Sequence, residues 1–229
     1  MNRASRAAAV AVARAVRRGG SAVAVARLRA SAAARGTRCD VVIDPGATLS
    51  PGIRLAIEGP GRITIRVGPG SVIEDGVLLQ LGPGARLDIG PDVTIRRGCI
   101  LNVTGHLTFR GTNLLSWGSV VHCADAVTFE ELAGTGELIT VVDGSHFRRH
   151  REDHWYHNGA TAPVVIGYNA WLASKSTVGK GVRVGTAATV GANSLVSQDV
   201  PDECLAIGVP AQIVRRDINQ RVANRVVDA

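Results

Sequence analysis

From residue 166 onward, hydrophobic residues recur every six positions along the chain. Split at Ile166, the sequence reads IGYNAW, LASKST, VGKGVR, VGTAAT, VGANSL and VSQDVP, with Ile, Leu or Val first and Ala, Ser or Val fifth in every hexad. This period predicts short strands separated by tight turns, in which the first side chain points inward and the small fifth residue fits a crowded corner. We also expect the Gly or Ala at the second position to adopt backbone angles that larger residues resist. Because three hexads close one coil, the segment predicts two coils of a parallel β-helix.

The same period occurs earlier in the chain with more irregular spacing. VGPGSV at 67–72 and IGPDVT at 89–94 each begin a repeat, and their first residues are 22 positions apart. These coils are therefore expected to carry extra residues at their corners. The period stops at 143–163 and resumes at Val164, which predicts a loop inserted into the β-helix.

The N-terminal segment has a different pattern. Residues 3–35 are rich in Ala, Val and Arg and contain no Pro, which predicts one or two helices interrupted near Gly19 and Gly20. Such helices suit a cap over the open end of the β-helix. The alternative is a membrane-surface helix whose Arg side chains face anionic lipid. The predicted organisation is a basic helical segment at 1–38, a β-helix at 39–214 and a tail at 215–229.

Composition and charge narrow the function classes. The chain has 229 residues, of which 45% are hydrophobic but only 3% aromatic, and a core of small aliphatic side chains suits thin, repetitive β structure. The net charge of +7 is concentrated in residues 1–39, which hold nine Arg and no acidic residue. The remaining residues hold 17 basic and 19 acidic groups, a net charge of −2. A nearly neutral body argues against nucleic acid binding.

The cysteines and the apolar segments indicate the compartment. Four cysteines without CxxC spacing fit small buried thiols better than a zinc ribbon or a disulfide framework. Arginines interrupt the N-terminal apolar stretches well before the roughly 20 residues that a membrane span needs, and no signal peptide is recognised. We expect a cytoplasmic protein, located at the inner face of the membrane if the N-terminal helices contact lipid.

Four segments in a fixed order carry a family resemblance. They are DGSH at 143–146, APVVIGYNAWLAS at 162–174, VGANSLVSQDVP at 190–201 and AIGVPAQIVRR at 206–216. Together with the hexads, they resemble the hexapeptide-repeat acyltransferases, in particular the galactoside, maltose and polysaccharide O-acetyltransferases. The resemblance covers roughly residues 41–216. It implies an all-β fold, a left-handed parallel β-helix of hexapeptide repeats.

The resemblance also implies an activity and a set of site residues. It implies a homotrimer with active sites between subunits, and transfer of an acetyl or other acyl group from coenzyme A to a hydroxyl of a sugar or cell-envelope saccharide, as in polysaccharide biosynthesis. His146 takes the place of the family's general base, and Trp171, Ser174 and Ala192 those of the pantetheine groove. The two closing basic positions fall on Gln212 and Arg215. Because the first is Gln here, phosphate contact falls to Arg215 or the adjacent Arg216.

Acyl transfer to a hydroxyl requires a base that removes the proton as the oxygen attacks the thioester. Histidine suits this role because its ordinary pKa of about 6.5 leaves much of it neutral near pH 7. The ring also needs a partner that orients it, and Asp143 is the candidate, three residues away. No metal is expected.

Other polar residues are candidates for acceptor binding. His122 precedes His146 by 24 residues, about one enlarged coil, and could approach the site from the coil below. Asn113 and Ser116 are further candidates, and Trp155 in the inserted loop could pack on a sugar ring. The loop histidines at 150, 154 and 157 lie among arginines that would repel a metal cation, so we expect the loop to enclose a groove.

Two alternatives remain at the level of the sequence. The first is a zinc-dependent β-helix lyase of the carbonic anhydrase type, whose ligands would be His122, His146 and His150. The second is a non-catalytic repeat scaffold used for assembly or membrane recruitment.

Overall fold

The computed structural model describes residues 19–146 and 159–218, and these form one helix followed by a long series of short strands. The described part of helix α1 covers residues 19–33. The first strands are β1 (Thr37–Ile43), β2 (Thr48–Leu49), β3 (Arg54–Ile57), β4 (Gly61–Val67), β5 (Val72–Ile73), β6 (Leu78–Leu81), β7 (Arg86–Ile89), β8 (Thr94–Ile95), β9 (Ile100–Val103), β10 (His106–Phe109), β11 (Leu114–Leu115) and β12 (Val120–Cys123). They are followed by β13 (Ala126–Phe129), β14 (Gly134–Thr135), β15 (Thr140–Val142), β16 (Gly144–His146), β17 (Gly159–Thr161), β18 (Val164–Ile166), β19 (Trp171–Leu172), β20 (Thr177–Val178), β21 (Arg183–Val184), β22 (Thr189–Val190), β23 (Leu195–Val196), β24 (Leu205–Gly208) and β25 (Ala211–Arg215).

The strands build three faces of a triangular solenoid. Face A contains β1, β4, β7, β10, β13, β18 and β21; face B contains β2, β5, β8, β11, β14, β19, β22, β24 and β25; and face C contains β3, β6, β9, β12, β15, β20 and β23. Successive strands of a face are parallel, except for the antiparallel pair of β24 and β25. The predicted fold class, a left-handed parallel β-helix, is confirmed.

The coils shorten along the solenoid axis. Residues that pair across consecutive coils of face A are 24, 22, 20 and 20 positions apart before the insertion, and 18 and then 16 apart after it. Val67 pairs with Ile89 as its spacing predicted. Of the two coils predicted from the hexads, the first has the predicted 18 residues and the second has 16.

The first and fifth residues of the hexads are buried, as the pattern predicts. All six first-position aliphatic side chains are at most 1% exposed, and all six fifth-position residues are at most 3% exposed. Phe109 and Phe129, on neighbouring coils of face A, stack in the core with ring centroids 4.7 Å apart. Each coil thus buries the aliphatic ladder of the next one.

The reason predicted for the small residue at the second hexad position, an unusual backbone conformation, was wrong. The left-handed backbone conformation occurs at the fourth position, with φ between 53° and 74° at Asn169, Lys175, Gly181, Ala187 and Asn193. The second position is small because the next coil crosses it closely. A Cβ built on Gly167 would lie 2.7 Å from the carbonyl carbon of Gly185, and one on Gly191 would lie 2.7 Å from Cγ1 of Ile207.

Helix α1 covers the N-terminal end of the solenoid. Its buried residues Ala24, Leu28 and Ala32 join the same hydrophobic cluster as Leu49 and Ile53 of the first coil. The hydroxyl of Ser21 accepts a hydrogen bond of 2.9 Å from the amide of Leu49. These contacts are those expected of a cap. Among the described residues, no helix combines the length and the apolar character required to cross a membrane.

Candidate functional site

His146 is held away from the coil by a short hairpin. After β15, the chain forms β16, which pairs antiparallel with β17 so that His146 lies opposite Gly159. The His146 side chain is exposed, and a Cβ built on Gly159 would lie 3.8 Å from its Nδ1 atom. The predicted insertion therefore begins as a two-stranded arm that leaves the solenoid where face C turns into face A, here called corner CA.

Asp143 joins the base of this arm to the coil below. Its side chain is fully buried, at 0% exposure. Oδ1 accepts a hydrogen bond of 2.8 Å from the amide of Ala124, and Oδ2 accepts one of 2.8 Å from the amide of Asp125. The carbonyl of Asp143 accepts the amide of Ala162 at 2.9 Å, which closes the arm on its other side. Orientation of the His146 ring by this carboxylate stays a prediction.

His122 lies one coil below the base of the arm. It pairs with Val142 above and Asn102 below, and its half-buried side chain is on the outward side of face C. Its carbonyl oxygen accepts the amide of Asp143 at 3.3 Å. His122 thus belongs to the coil surface next to the arm that carries His146.

Ser174 and Ala192 lie on a different corner, where face B turns into face C, here called corner BC. The amide of Asn193 donates to the carbonyl of Ser174 at 3.1 Å, so the two residues occupy stacked positions on neighbouring coils. On the other side, the Ser174 hydroxyl donates to Oε2 of Glu137 at 2.5 Å. This hydrogen bond lowers the pKa of the exposed Glu137 carboxyl.

Trp171 lies on face B beside corner BC. It pairs with Gly134 on the coil below, and its side chain is 42% exposed. A Cβ built on Gly134 would lie 3.1 Å from Cζ3 and 3.3 Å from Cε3 of the indole. The absence of a side chain at Gly134 lets the ring lie against the coil surface.

The C-terminal hairpin carries the remaining predicted coenzyme residues. Gln212 pairs with Ile207 and Arg215 with Leu205, and both Gln212 and Arg215 are exposed. Arg216 lies next to the coil, with Nη1 3.9 Å from Sγ of Cys204. These residues extend face B beyond the coil that contains Ala192.

Asn113 and Ser116 are enclosed in coil corners and are 3% and 4% exposed. The Asn113 amide donates to the carbonyls of Glu130 and Ala133 and accepts the amide of Gly111. The amide of Ser116 donates to the hydroxyl of Thr135 at 3.0 Å. Both residues support the turns. Trp155 and the histidines at 150, 154 and 157 lie outside the described residues.

The described residues contain no group of three or more His, Cys, Asp or Glu side chains that could hold a metal ion. Of the three candidate zinc ligands, His150 lies outside the described part of the chain. The metal-dependent alternative therefore has no geometric support from His122 and His146.

Sequence reasoning missed Glu137. It lies on the coil before the hexads, 37 positions before Ser174, because the inserted loop separates the two coils. Its pairing with Ser174 follows only from the register of β14 with β19, which places residues 134 and 171 side by side. The sequence signal for this pairing is the alignment of GTGE at 134–137 with WLAS at 171–174 once the insertion is removed.

Comparisons with known proteins agree with the predicted resemblance. No protein-family model matches the chain. It is 39% identical over 59 residues to galactoside O-acetyltransferase of Escherichia coli, a match covering 26% of this chain and 29% of the relative. It is 28% identical over 173 residues to the bifunctional protein GlmU of Nitratidesulfovibrio vulgaris, covering 73% of this chain and 30% of the relative. The match thus spans less than a third of either relative.

Solved structures with similar coils include AntD, an N-acyltransferase from Bacillus cereus in complex with dTDP and 3-hydroxybutyryl-CoA. Its TM-score is 0.48 with 16% identity, over 77% of this chain and 82% of that one. A hexapeptide-repeat acetyltransferase of Vibrio cholerae with acetyl coenzyme A gives a TM-score of 0.38 with 20% identity, over 86% and 77% of the two chains. The fold itself is established by the strand pairing described above.

Proposed function

We propose that this chain is a coenzyme A-dependent acyltransferase that moves an acetyl group to a hydroxyl of a saccharide. The observation that carries the proposal is the exposed His146, held out on an arm one coil before Trp171 and Ser174. The named relative, a galactoside O-acetyltransferase, supports an acetyl group as the group transferred and a sugar oxygen as the acceptor. Oxygen as the accepting atom is part of the proposal.

His146 is the proposed general base. Its imidazole takes the proton of the acceptor hydroxyl while that oxygen forms a bond to the thioester carbonyl carbon. The tetrahedral intermediate then collapses, the carbon–sulfur bond breaks, and the departing thiolate takes the proton from the imidazolium. The arm leaves the His146 ring exposed, as a base that must reach a second substrate requires.

Trp171, Ser174 and Ala192 are the proposed wall of the pantetheine groove. The Trp171 ring and the exposed Ala192 offer an apolar surface, and the Ser174 hydroxyl offers a polar contact. Arg215, on the C-terminal hairpin, is the proposed phosphate contact, because a guanidinium binds phosphate oxygens with two parallel hydrogen bonds. Gln212 on the same strand has no charge for this role.

The proposed base and the proposed groove occupy different corners of the solenoid. Asp143 at corner CA follows Glu137 at corner BC by six positions, including β15, and six steps correspond to at most about 20 Å at the rise of a strand. One chain therefore does not bring its own His146 to its own groove. This separation supports a homotrimer in which each site combines His146 of one subunit with corner BC of the next.

The remaining predictions on partners stay part of this proposal. His122, on the coil below the arm, is the proposed acceptor contact. Asn113 and Ser116 are left out of the proposed site because they are enclosed in the corners. The suggested membrane contact falls largely on residues 1–18, outside the described part of the chain.

A binding and transfer experiment tests the proposed function. The purified full chain is titrated with acetyl coenzyme A by calorimetry, and release of free coenzyme A is then followed over hydroxyl sugars and their amino-sugar counterparts. We expect binding, transfer to a galactoside hydroxyl, and a loss of at least about 100-fold in turnover for His146→Ala. His106→Ala is the matched control, because His106 lies on face A and binds Asp88 at 2.8 Å. Full turnover by His146→Ala would exclude it as the base.

Mixed oligomers test the shared site. His146→Ala and Ser174→Trp are each expected to be inactive, since one lacks the base and the other fills the groove. When the two variants are co-expressed and assemble at random, about one quarter of the sites of a threefold ring regain both intact halves. If mixed oligomers purified with two tags stay inactive, the two halves do not meet across a subunit interface.

A further inference from the structure

Corner BC carries two outward positions per coil; Glu137, Ser174 and Ala192 occupy the first on three successive coils, and Leu138, Lys175 and Asn193 occupy the second. The amide of Lys175 donates to the carbonyl of Glu137 at 2.8 Å, and the amide of Asn193 donates to that of Ser174 at 3.1 Å. These bonds fix the vertical order of the column. Glu137 is its only carboxylate among the coils from β14 to β23.

The height of this column matches the arm of coenzyme A. Arg215 lies on β25, and β24, β22 and β19 separate it from β14 in the order of face B. Four strand spacings of about 4.8 Å give about 19 Å, which is comparable with an extended pantetheine arm. If the phosphates lie at Arg215, the thioester lies at the level of Glu137. Among the described residues of corner BC between these levels, none carries a negative charge.

The surroundings of Glu137 hold its carboxylate at this level. The Ser174 hydroxyl donates to Oε2 at 2.5 Å. The coil packs so closely here that a Cβ on Gly136 would lie 2.5 Å from Oγ of Ser174. Below Glu137 the column continues with Trp117, whose carbonyl accepts the amide of Leu138 at 2.9 Å. The Trp117 ring is 43% exposed. The Arg96 guanidinium stacks on it, with Cζ 4.8 Å from the ring centroid.

We propose that Glu137 is a specificity-determining residue that restricts the donor to acyl groups without a negative charge. This proposal rests on the proposed function. An acetyl group ends in a methyl, whereas a malonyl or succinyl group ends in a carboxylate that would lie beside Glu137. Two like charges a few ångströms apart repel each other, and the repulsion is strongest where the groove excludes water. A glutamate carboxyl is ionised near neutral pH, and the hydrogen bond from Ser174 lowers the pKa of Glu137 further.

Coenzyme binding tests this role without knowledge of the acceptor. Dissociation constants for coenzyme A, acetyl coenzyme A and malonyl coenzyme A are measured by calorimetry for the wild type and Glu137→Gln. We expect malonyl coenzyme A to bind the wild type about tenfold more weakly than acetyl coenzyme A. In Glu137→Gln the two constants should agree within about twofold, with coenzyme A and acetyl coenzyme A unchanged.

Glu131→Gln is the matched control. Glu131 lies on the same coil, at the corner between faces A and B. Its carbonyl accepts a hydrogen bond of 3.0 Å from the amide of Asn169, which is equivalent to the bond from the Lys175 amide to the Glu137 carbonyl. This variant should keep the tenfold difference. Equal binding of both acyl forms to the wild type would overturn the proposal, as would an equal loss for all three ligands in Glu137→Gln. A wild type that binds no form of coenzyme A would refute the proposed function itself.

Discussion

Replacing Asp143 by alanine removes a side chain that joins the base of the His146 arm to the coil below through both of its carboxylate oxygens. The two bonds, each 2.8 Å long, come from the consecutive amides of Ala124 and Asp125. In Asp143→Ala these amides lose their acceptors, and an unsatisfied buried group costs about 1–3 kcal/mol. Because both bonds are part-buried, we expect a loss of about 2–4 kcal/mol in the free energy of unfolding for the two amides together.

Asp143→Asn separates geometry from charge. The asparagine keeps one carbonyl acceptor but turns an N–H₂ group toward the second amide, so one bond of about 1.5–3 kcal/mol is lost. Its destabilisation should therefore lie below that of Asp143→Ala. Asp125→Ala is the control, because the Asp125 side chain is exposed and its change should stay within about 0.5 kcal/mol.

Urea denaturation followed by circular dichroism measures these differences. With a slope of about 2–3 kcal/mol per molar urea, Asp143→Ala should lower the midpoint by roughly 1–2 M. A midpoint within about 0.2 M of the wild type would refute the reasoning, since the paired amides would then have found other partners.

Three further predictions concern the packing of the coils and the groove. Gly167→Ala should destabilise the chain by about 1–3 kcal/mol in the same urea assay, because its Cβ would lie 2.7 Å from backbone atoms of the next coil. Gly134→Val should displace the Trp171 ring, whose nearest atom would lie 3.1 Å from the new Cβ, and weaken acetyl coenzyme A binding about tenfold in calorimetry while leaving the midpoint of unfolding nearly unchanged. The Cys99 and Cys123 thiols should not react with a disulfide reagent in the native protein at pH 8, because burial raises their pKa to about 11 and about 12, and they should react fully in denaturant.

The hexad pattern predicted the inward ladder because its cause is local. An aliphatic residue every six positions must lie inside if the chain turns at every hexad, and the first positions are buried in every case. The role of the second-position glycines was misjudged because it depends on the neighbouring coil. Only the stacked structure shows that Gly167 is crowded by Gly185, while the left-handed φ belongs to Asn169.

The candidate site was harder to predict than the fold. Its residues come from coils on either side of an insertion, so their separation in the sequence does not indicate their separation in space. For this reason the sequence did not predict Glu137 as a site residue. It also did not predict that Asn113 is enclosed, because the three hydrogen bonds that hold its side chain depend on neighbouring turns. The position of His146 at the start of the insertion was accessible, because the interruption of the period is itself visible in the sequence.

The shortening of the coils from 24 to 16 residues has a consequence for the uniqueness of the fold. In a solenoid of identical coils, a strand could pair one coil too early or too late at little cost. Here β1 and β4 pair over seven residues, whereas β4 and β7 pair over four. If β1 paired with β7 in place of β4, three of its seven residues would have no strand partner on face A. The difference in strand length therefore disfavours a skipped coil at the N-terminal end of the solenoid.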